Sequence, residues 1–416
     1  MINMHNKLTK NFIFLFLMQM ANLLLPLISL PYLSRVLQPE GFGLIVFAQS
    51  FIQYFVILTD FGFNLSATRQ VSIYREDPEK LKQIFNSVLI IKLALVIISF
   101  VVLVSIVMLN HSFSEYWYVY LYNFGIVIGN ALFPLWLFQG LEVMQYSTLL
   151  NVISKLIFTL FTFILVKDAN DLYIVPILNS IGFIVSGILG ISVAFRKFNM
   201  RFQLPQRDEV ILALKDSAQF FVSRASVSLY TITNTFLIGI FLGKAAAGYY
   251  AIAEKLINVI AMVISTVVDA IYPFMAKTRD LKMFNKIFKI VMVLGVVGCL
   301  VAFIISEQAI SIIFGANYQV SVTLFNIMLV SCFISIPSML IGYPLLAAFG
   351  NSTYPNYSVL AGSLVHIVLL LLLIQLGNIY VVASILIVTQ LVILSIRYYG
   401  VRKIILRNNK SKRIEV

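Results

Sequence analysis

Long apolar runs recur from one end of this chain to the other, and nothing constrains its fold more. A helix that crosses a bilayer needs about 20 mostly apolar residues. Such runs lie near residues 11–33, 41–62, 84–109, 116–139, 147–166, 172–195, 217–242, 249–275, 290–314, 321–349, 356–376 and 379–398. The spacing predicts an all-α integral membrane protein with twelve transmembrane helices. Gly, Asn and Gln dilute the second and fourth runs. Barrel strands would read as short alternating segments instead. Of the 416 residues, 60% are hydrophobic and 11% charged, less than half the charge of a soluble protein of ordinary composition. A soluble enzyme, a disordered chain and a nucleic-acid-binding domain are thereby excluded. Cys299 and Cys332 sit in apolar runs and His5, His111 and His366 are scattered, so neither a disulfide framework nor a metal site is expected. Gly239, Gly243 and Lys244 lack P-loop spacing.

Net charge is +13, and the cations explain it. With the N-terminus inside, twenty-three Lys and Arg fall on inner segments, while outer loops hold only Arg35, Lys167 and Lys244. That asymmetry places both termini in the cytoplasm. The first run lacks a small-residue cleavage site and reads as a retained helix.

The longest polar stretch, residues 196–216, divides the runs six and six. The expected organisation is an N-terminal lobe (1–195), a cytoplasmic linker (196–216), a C-terminal lobe (217–398) and a basic tail (399–416). Echoes at offsets near half the chain length support a duplication. Pro134, Leu135 and Gly140 answer Pro344, Leu345 and Gly350; Tyr146 and Ser147 answer Tyr357 and Ser358. Two six-helix lobes enter and leave on one side, so they form a parallel repeat with a pseudo-twofold axis along the membrane normal. The expected substrate site lies between the lobes near the midplane. This architecture reads as a transporter.

Four cations fall inside the runs: Lys92, Lys155, Arg224 and Lys255. An ionisable group at depth is costly unless it meets water or a partner, and is a functional candidate by default. Lys92, Lys155 and Arg224 each sit about 12 Å past an inner helix end at a rise of 1.5 Å per residue. They are read as the lining of a cationic cavity for an anionic substrate, or as side chains that snorkel to the headgroups. Asp60, Glu254 and Asp269 are the candidates for carrying a coupling proton or sodium ion, against a role as headgroup-level acids. The prolines that interrupt runs, Pro134 and Pro344 among them, free carbonyls that can line a cavity.

Three stretches carry a resemblance. They are Pro31 to Gly43 with Arg35 inside it, Asp60 to Thr68 with Asn64 followed by Arg69, and Pro134 to Gly140 followed by Ser154, Lys155 and Leu156. The chain resembles O-antigen flippases of the Wzx type, in the polysaccharide-transporter branch of the MOP (MATE-like) superfamily. The resemblance implies a bacterial inner-membrane flippase with two six-helix lobes. Its cargo would be an undecaprenyl-pyrophosphate-linked oligosaccharide, carried from the cytoplasmic to the periplasmic face and driven by a proton or sodium gradient without a bound cofactor. The implied partners are membrane lipid, the O-antigen polymerase and the chain-length regulator. Arg35, Asp60, Asn64 and Arg69 match the family pattern, either for cargo or for the fold of the first hairpin. Three alternatives stay open: a MATE-type drug or cation antiporter, a membrane glycan polymerase or acyltransferase, and a lipid II exporter, whose branch usually has fourteen spans.

Overall fold

In the computed structural model, backbone is described for residues 2–414 and side chains for residue 25 and for residues 27–221 and 232–403. These residues are largely helical, with no strand among them, and ten helices are long and apolar enough to cross a membrane. The chain is an all-α, multi-pass membrane protein. Two of the twelve expected spans account for the different count. The first expected span, 11–33, falls mostly on residues whose side chains are outside the described ones; its backbone and that of the second form α1 (Ile2–Asp60), a single element interrupted at Gln38, where φ 58 and ψ 171 leave the helical region. A straight helix of its 59 residues would run about 90 Å, three hydrocarbon thicknesses, and the kink at Gln38 divides it into two helices. The seventh falls on α10 (Arg207–Phe241), whose residues 222–231 lie outside the described side chains.

The chain divides into two compact units, residues 1–236 and 237–416. In the first, α1 is followed by α2 (Phe63–Ile73) and α3 (Pro78–Leu109). The sequence places residues 63–69, Arg69 included, in an inner loop. They are helical because left-handed Phe61 and Gly62 turn the chain without ending it. Gly62 has φ +79 and Ser217 O and Phe221 N of α10 close against it, where a Cβ would lie 2.9 and 2.7 Å away. Only glycine serves both demands. Asp77 then caps α3 by accepting from the backbone N–H of Glu79 and Lys80, with Pro78 at the first helical position.

The expected fourth span is three pieces, α5 (Trp117–Asn123), α6 (Gly125–Leu132) and α7 (Leu135–Gly140), after the single turn α4 (His111–Ser114). Pro134 cannot donate to the ladder and separates the last two. α8 (Met144–Leu165) and α9 (Ile174–Lys197) follow. α6 packs directly on α9: a Cβ on Gly129 would lie 2.3 Å from Phe183 C, and one on Gly187 2.6 Å from Gly129 O. Helices in lipid gain from such small-residue contacts, since apolar burial against apolar tails gains little. A core of Phe63, Ala67, Phe85, Val88 and Trp136 joins α2, α3 and α7. Past Lys197 the polar stretch is non-helical only to Gln206, and Asn86 holds it: its Nδ2 donates to Arg201 O at 2.9 Å and its Oδ1 accepts from Gln203 N at 3.2 Å.

The second unit holds α11 (Lys244–Thr278), α12 (Leu281–Phe314), α13 (Gln319–Leu340), α14 (Thr353–Leu373) and α15 (Ile379–Ile414). A π-helical segment, Ile341–Ala347, contains Pro344 and separates α13 from α14. Arg397, one of the cations counted on the inner side, is 7% exposed, with Nε donating to Ser358 Oγ at 2.9 Å and Nη1 to Ser338 O at 2.7 Å. His366 is likewise buried, against Thr389 Oγ1 at 3.0 Å.

Candidate functional site

Within the first unit, α1, α3, α6 and the break at Pro134 enclose a polar cavity of about 200 Å³. Gln53 and Thr59 come from α1, Asp60 closes that helix, Asn64 opens α2, Lys92 comes from α3 and Asn130 from α6. Phe133 and Leu135 flank the proline break on its wall. The left-handed turn at 61–62 lets Asp60 and Asn64 face one space although they belong to successive helices.

Lys92 dominates the electrostatics. It lies fourteen residues into α3, about 21 Å from the helix start, and is 3% exposed. Its Nζ donates to Asp60 Oδ1 at 3.4 Å, and the Asp60 side chain keeps 19% exposure. A buried charge persists only with a partner and further polar contacts, and the carboxylate and the amide-lined space supply them. Asn64 lines the same space, and its Oδ1 is buried with no hydrogen-bond partner among the described residues. An anion entering here would meet an ammonium on a polar wall, where a charge-assisted bond is stronger than a neutral one.

Of the residues singled out from sequence, the structure brings Asp60, Asn64 and Lys92 together. Lys155 is not on this wall; its Nζ lies 5.4 Å from the centroid of the Phe183 ring, where α8 meets α9. The side chain of Arg224 lies outside the described residues. Arg35 is exposed just before the break in α1, with its carbonyl accepting from Gln38 Nε2 at 2.7 Å, and Arg69 is exposed on α2. In the second unit, Glu254 is half-buried, and Lys255 and Asp269 are exposed along α11. Sequence reasoning missed Gln53, Thr59 and Asn130. The dilution of the second and fourth runs by Gln and Asn was their signal. Among the described residues no group of three or more His, Cys, Asp or Glu is placed to hold a metal ion.

Comparison with known proteins gives this geometry a family. Residues 8–279 match the family described as polysaccharide biosynthesis protein. A protein of Escherichia coli (strain K12), named "Putative O-antigen transporter", is 28% identical over 77% of this chain and 76% of its own length. One of Shigella dysenteriae with the same name is 30% identical over 67% and 70%. Among solved structures, an inward-facing multidrug-resistance MATE transporter of the MOP superfamily superposes with a TM-score of 0.71 at 14% identity, covering 93% of this chain and 96% of that one. The lipid II flippase MurJ gives 0.70 at 16% identity, covering 93% and 87%. The fold is that of MOP-superfamily transporters, and the chain belongs to the polysaccharide biosynthesis protein family.

Proposed function

We propose that this protein is a flippase that carries an undecaprenyl-pyrophosphate-linked O-antigen repeat unit from the cytoplasmic to the periplasmic face of the bacterial inner membrane. It is a carrier rather than an enzyme. Twelve spans in two six-helix lobes, both termini in the cytoplasm and alternating access driven by a proton or sodium gradient complete the reading. The O-antigen polymerase and chain-length regulator act on what it delivers. The names of the E. coli and S. dysenteriae relatives support the cargo class.

One observation carries the proposal: a lysine 3% exposed sits midway along an apolar helix, beside a polar cavity. A diphosphate is the part of the cargo that such a cation recognises. Lys155, Arg224 and Lys255 are proposed as further cations on the path, and Asp60, Glu254 and Asp269 as the coupling acids. A cation exporter would need its acid in excess; here Lys92 balances Asp60. The test is complementation of a deletion strain with Lys92→Ala and Lys92→Arg, scored by surface glycan and by protein in the membrane. The expected result is loss of glycan with Ala and partial rescue with Arg, at equal protein levels. Full export by Lys92→Ala would remove the assignment.

A further inference from the structure

A second cavity, of about 150 Å³, lies in the first unit between α2, α3 and the start of α10. Its inner wall is apolar, from Phe63, Ala67, Ile84 and Val88. Ser87 also lines it; Ser87 is 2% exposed and its Oγ has no hydrogen-bond partner among the described residues. An unsatisfied hydroxyl in an apolar slot is costly unless an occupant or water meets it.

The mouth is unlike that of an ordinary apolar crevice. Lys80 stands in the first turn of α3, while Glu209 and Asp216 lie two turns apart on the face of α10 that closes the slot. Lys80 and Asp216 are exposed and Glu209 is half-buried, and among the described residues no ion pair joins them. Lys80 Nζ donates to Gln83 Oε1 at 3.0 Å, Asp216 Oδ2 accepts from Gln70 Nε2 at 2.7 Å, and Glu209 Oε2 accepts from Gln206 N at 3.0 Å. α10 is fixed over the slot by the Gln70–Asp216 bond and by the Ser66–Ser217 hydroxyl pair at 2.6 Å. One cation and two acids over an apolar interior match a molecule with an amine and a phosphate above a hydrocarbon tail. A free nucleotide or sugar phosphate would waste the apolar wall. An isoprenyl phosphate would leave both acids facing its charge.

We infer that this cavity binds one zwitterionic aminophospholipid of the cytoplasmic leaflet. Its ammonium lies against the acidic face of α10 that carries Glu209 and Asp216, its phosphate at Lys80, and its proximal chain along Ile84 and Val88 toward Ser87. The inference rests on the inner-side orientation read from the basic residues and makes no use of the cargo. Bound lipid would pin the start of α10 to α2 and α3, and so tie the segment that follows the first six expected spans to leaflet composition.

The experiment measures lipid retained on the full-length chain, purified from mixed phosphatidylethanolamine–phosphatidylglycerol nanodiscs and analysed by mass spectrometry. A photoactivatable phosphatidylethanolamine maps the contact. The wild type is expected to retain about one phosphatidylethanolamine per chain, with label on residues 63–88 and 207–217. Ala213→Trp, which fills the slot, should abolish both signals. Glu209→Gln with Asp216→Asn leaves the slot open and should lower the ethanolamine-to-glycerol preference about tenfold, because two charge-assisted contacts are lost. Lys92→Ala should retain lipid as the wild type does, which separates this site from the cargo reading. Equal retention in the filled variant, preference for phosphatidylglycerol or an isoprenyl phosphate in the wild type, or an unchanged preference in the double variant would each overturn the proposal.

Discussion

Neutralising either partner of the Asp60–Lys92 pair should destabilise the protein, but unequally, and the inequality follows from the geometry. At 3.4 Å and an effective dielectric of ~20, two unit charges attract by about 5 kcal/mol, offset in the folded protein by the cost of removing both from water. Asp60→Asn strands an ammonium whose side chain is 4% exposed. Stranding one member of a buried pair costs about 3 kcal/mol or more. Lys92→Met strands a carboxylate that keeps 19% exposure to the cavity, where water or a proton relieves it; about 1–2 kcal/mol is expected. In a chain of 416 residues, unfolding entropy near 2 cal/mol/K per residue turns about 3 kcal/mol into a Tm drop of roughly 3–4 °C. The assay is thermal unfolding of detergent-purified single and double variants, read by intrinsic fluorescence. Asp60→Asn should lose about twice the Tm of Lys92→Met, and the double variant should lose less than the two together. Equal losses, or additivity in the double variant, would refute the assignment of a buried pair at the cavity wall.

Other outcomes follow from the packing. Gly129→Ala should stop the protein accumulating in membranes, since its Cβ would lie 2.3 Å from Phe183 C; Gly298→Ala, with nothing within 4 Å among the described residues, should accumulate as the wild type does. Arg397→Met should lower thermal stability by about 2 kcal/mol or more through loss of the bonds to Ser338 O and Ser358 Oγ, with Arg397→Lys intermediate, as read by the same unfolding assay. In inverted vesicles, dissipating both proton and sodium gradients should halt glycan-lipid translocation; persistence would assign passive flipping.

The helical, membrane-spanning character was legible because continuous apolar runs leave few alternatives. Asp60, Lys92 and Asn64 were each legible as ionisable or motif residues, yet their meeting was not. It depends on Phe61 and Gly62 turning left-handed and on α10 closing over Gly62, neither of which has a periodic signature. Gln53 and Asn130 were visible only as dilution of two runs, a signal that weakened the pattern of a span where it marked a cavity wall. The burial of Arg397 was not legible, because a cation near the end of an apolar run carries no sign of the helices packed around it. Its burial is set by bonds to α14 and to the end of α13, which are remote in sequence. Lys155 shared a depth with Lys92 along the chain, but depth does not fix the helix face, and its side chain lies toward Phe183.

Titration calorimetry with farnesyl diphosphate, a short isoprenyl diphosphate that stands in for the lipid end of the cargo, tests the account most directly. The wild-type protein should bind it and bind farnesol at least about tenfold more weakly, as the loss of charge-assisted contacts requires. Lys92→Ala should abolish the diphosphate's advantage over the alcohol. Binding that is the same with and without the Lys92 ammonium, or indifferent to the diphosphate, would contradict it.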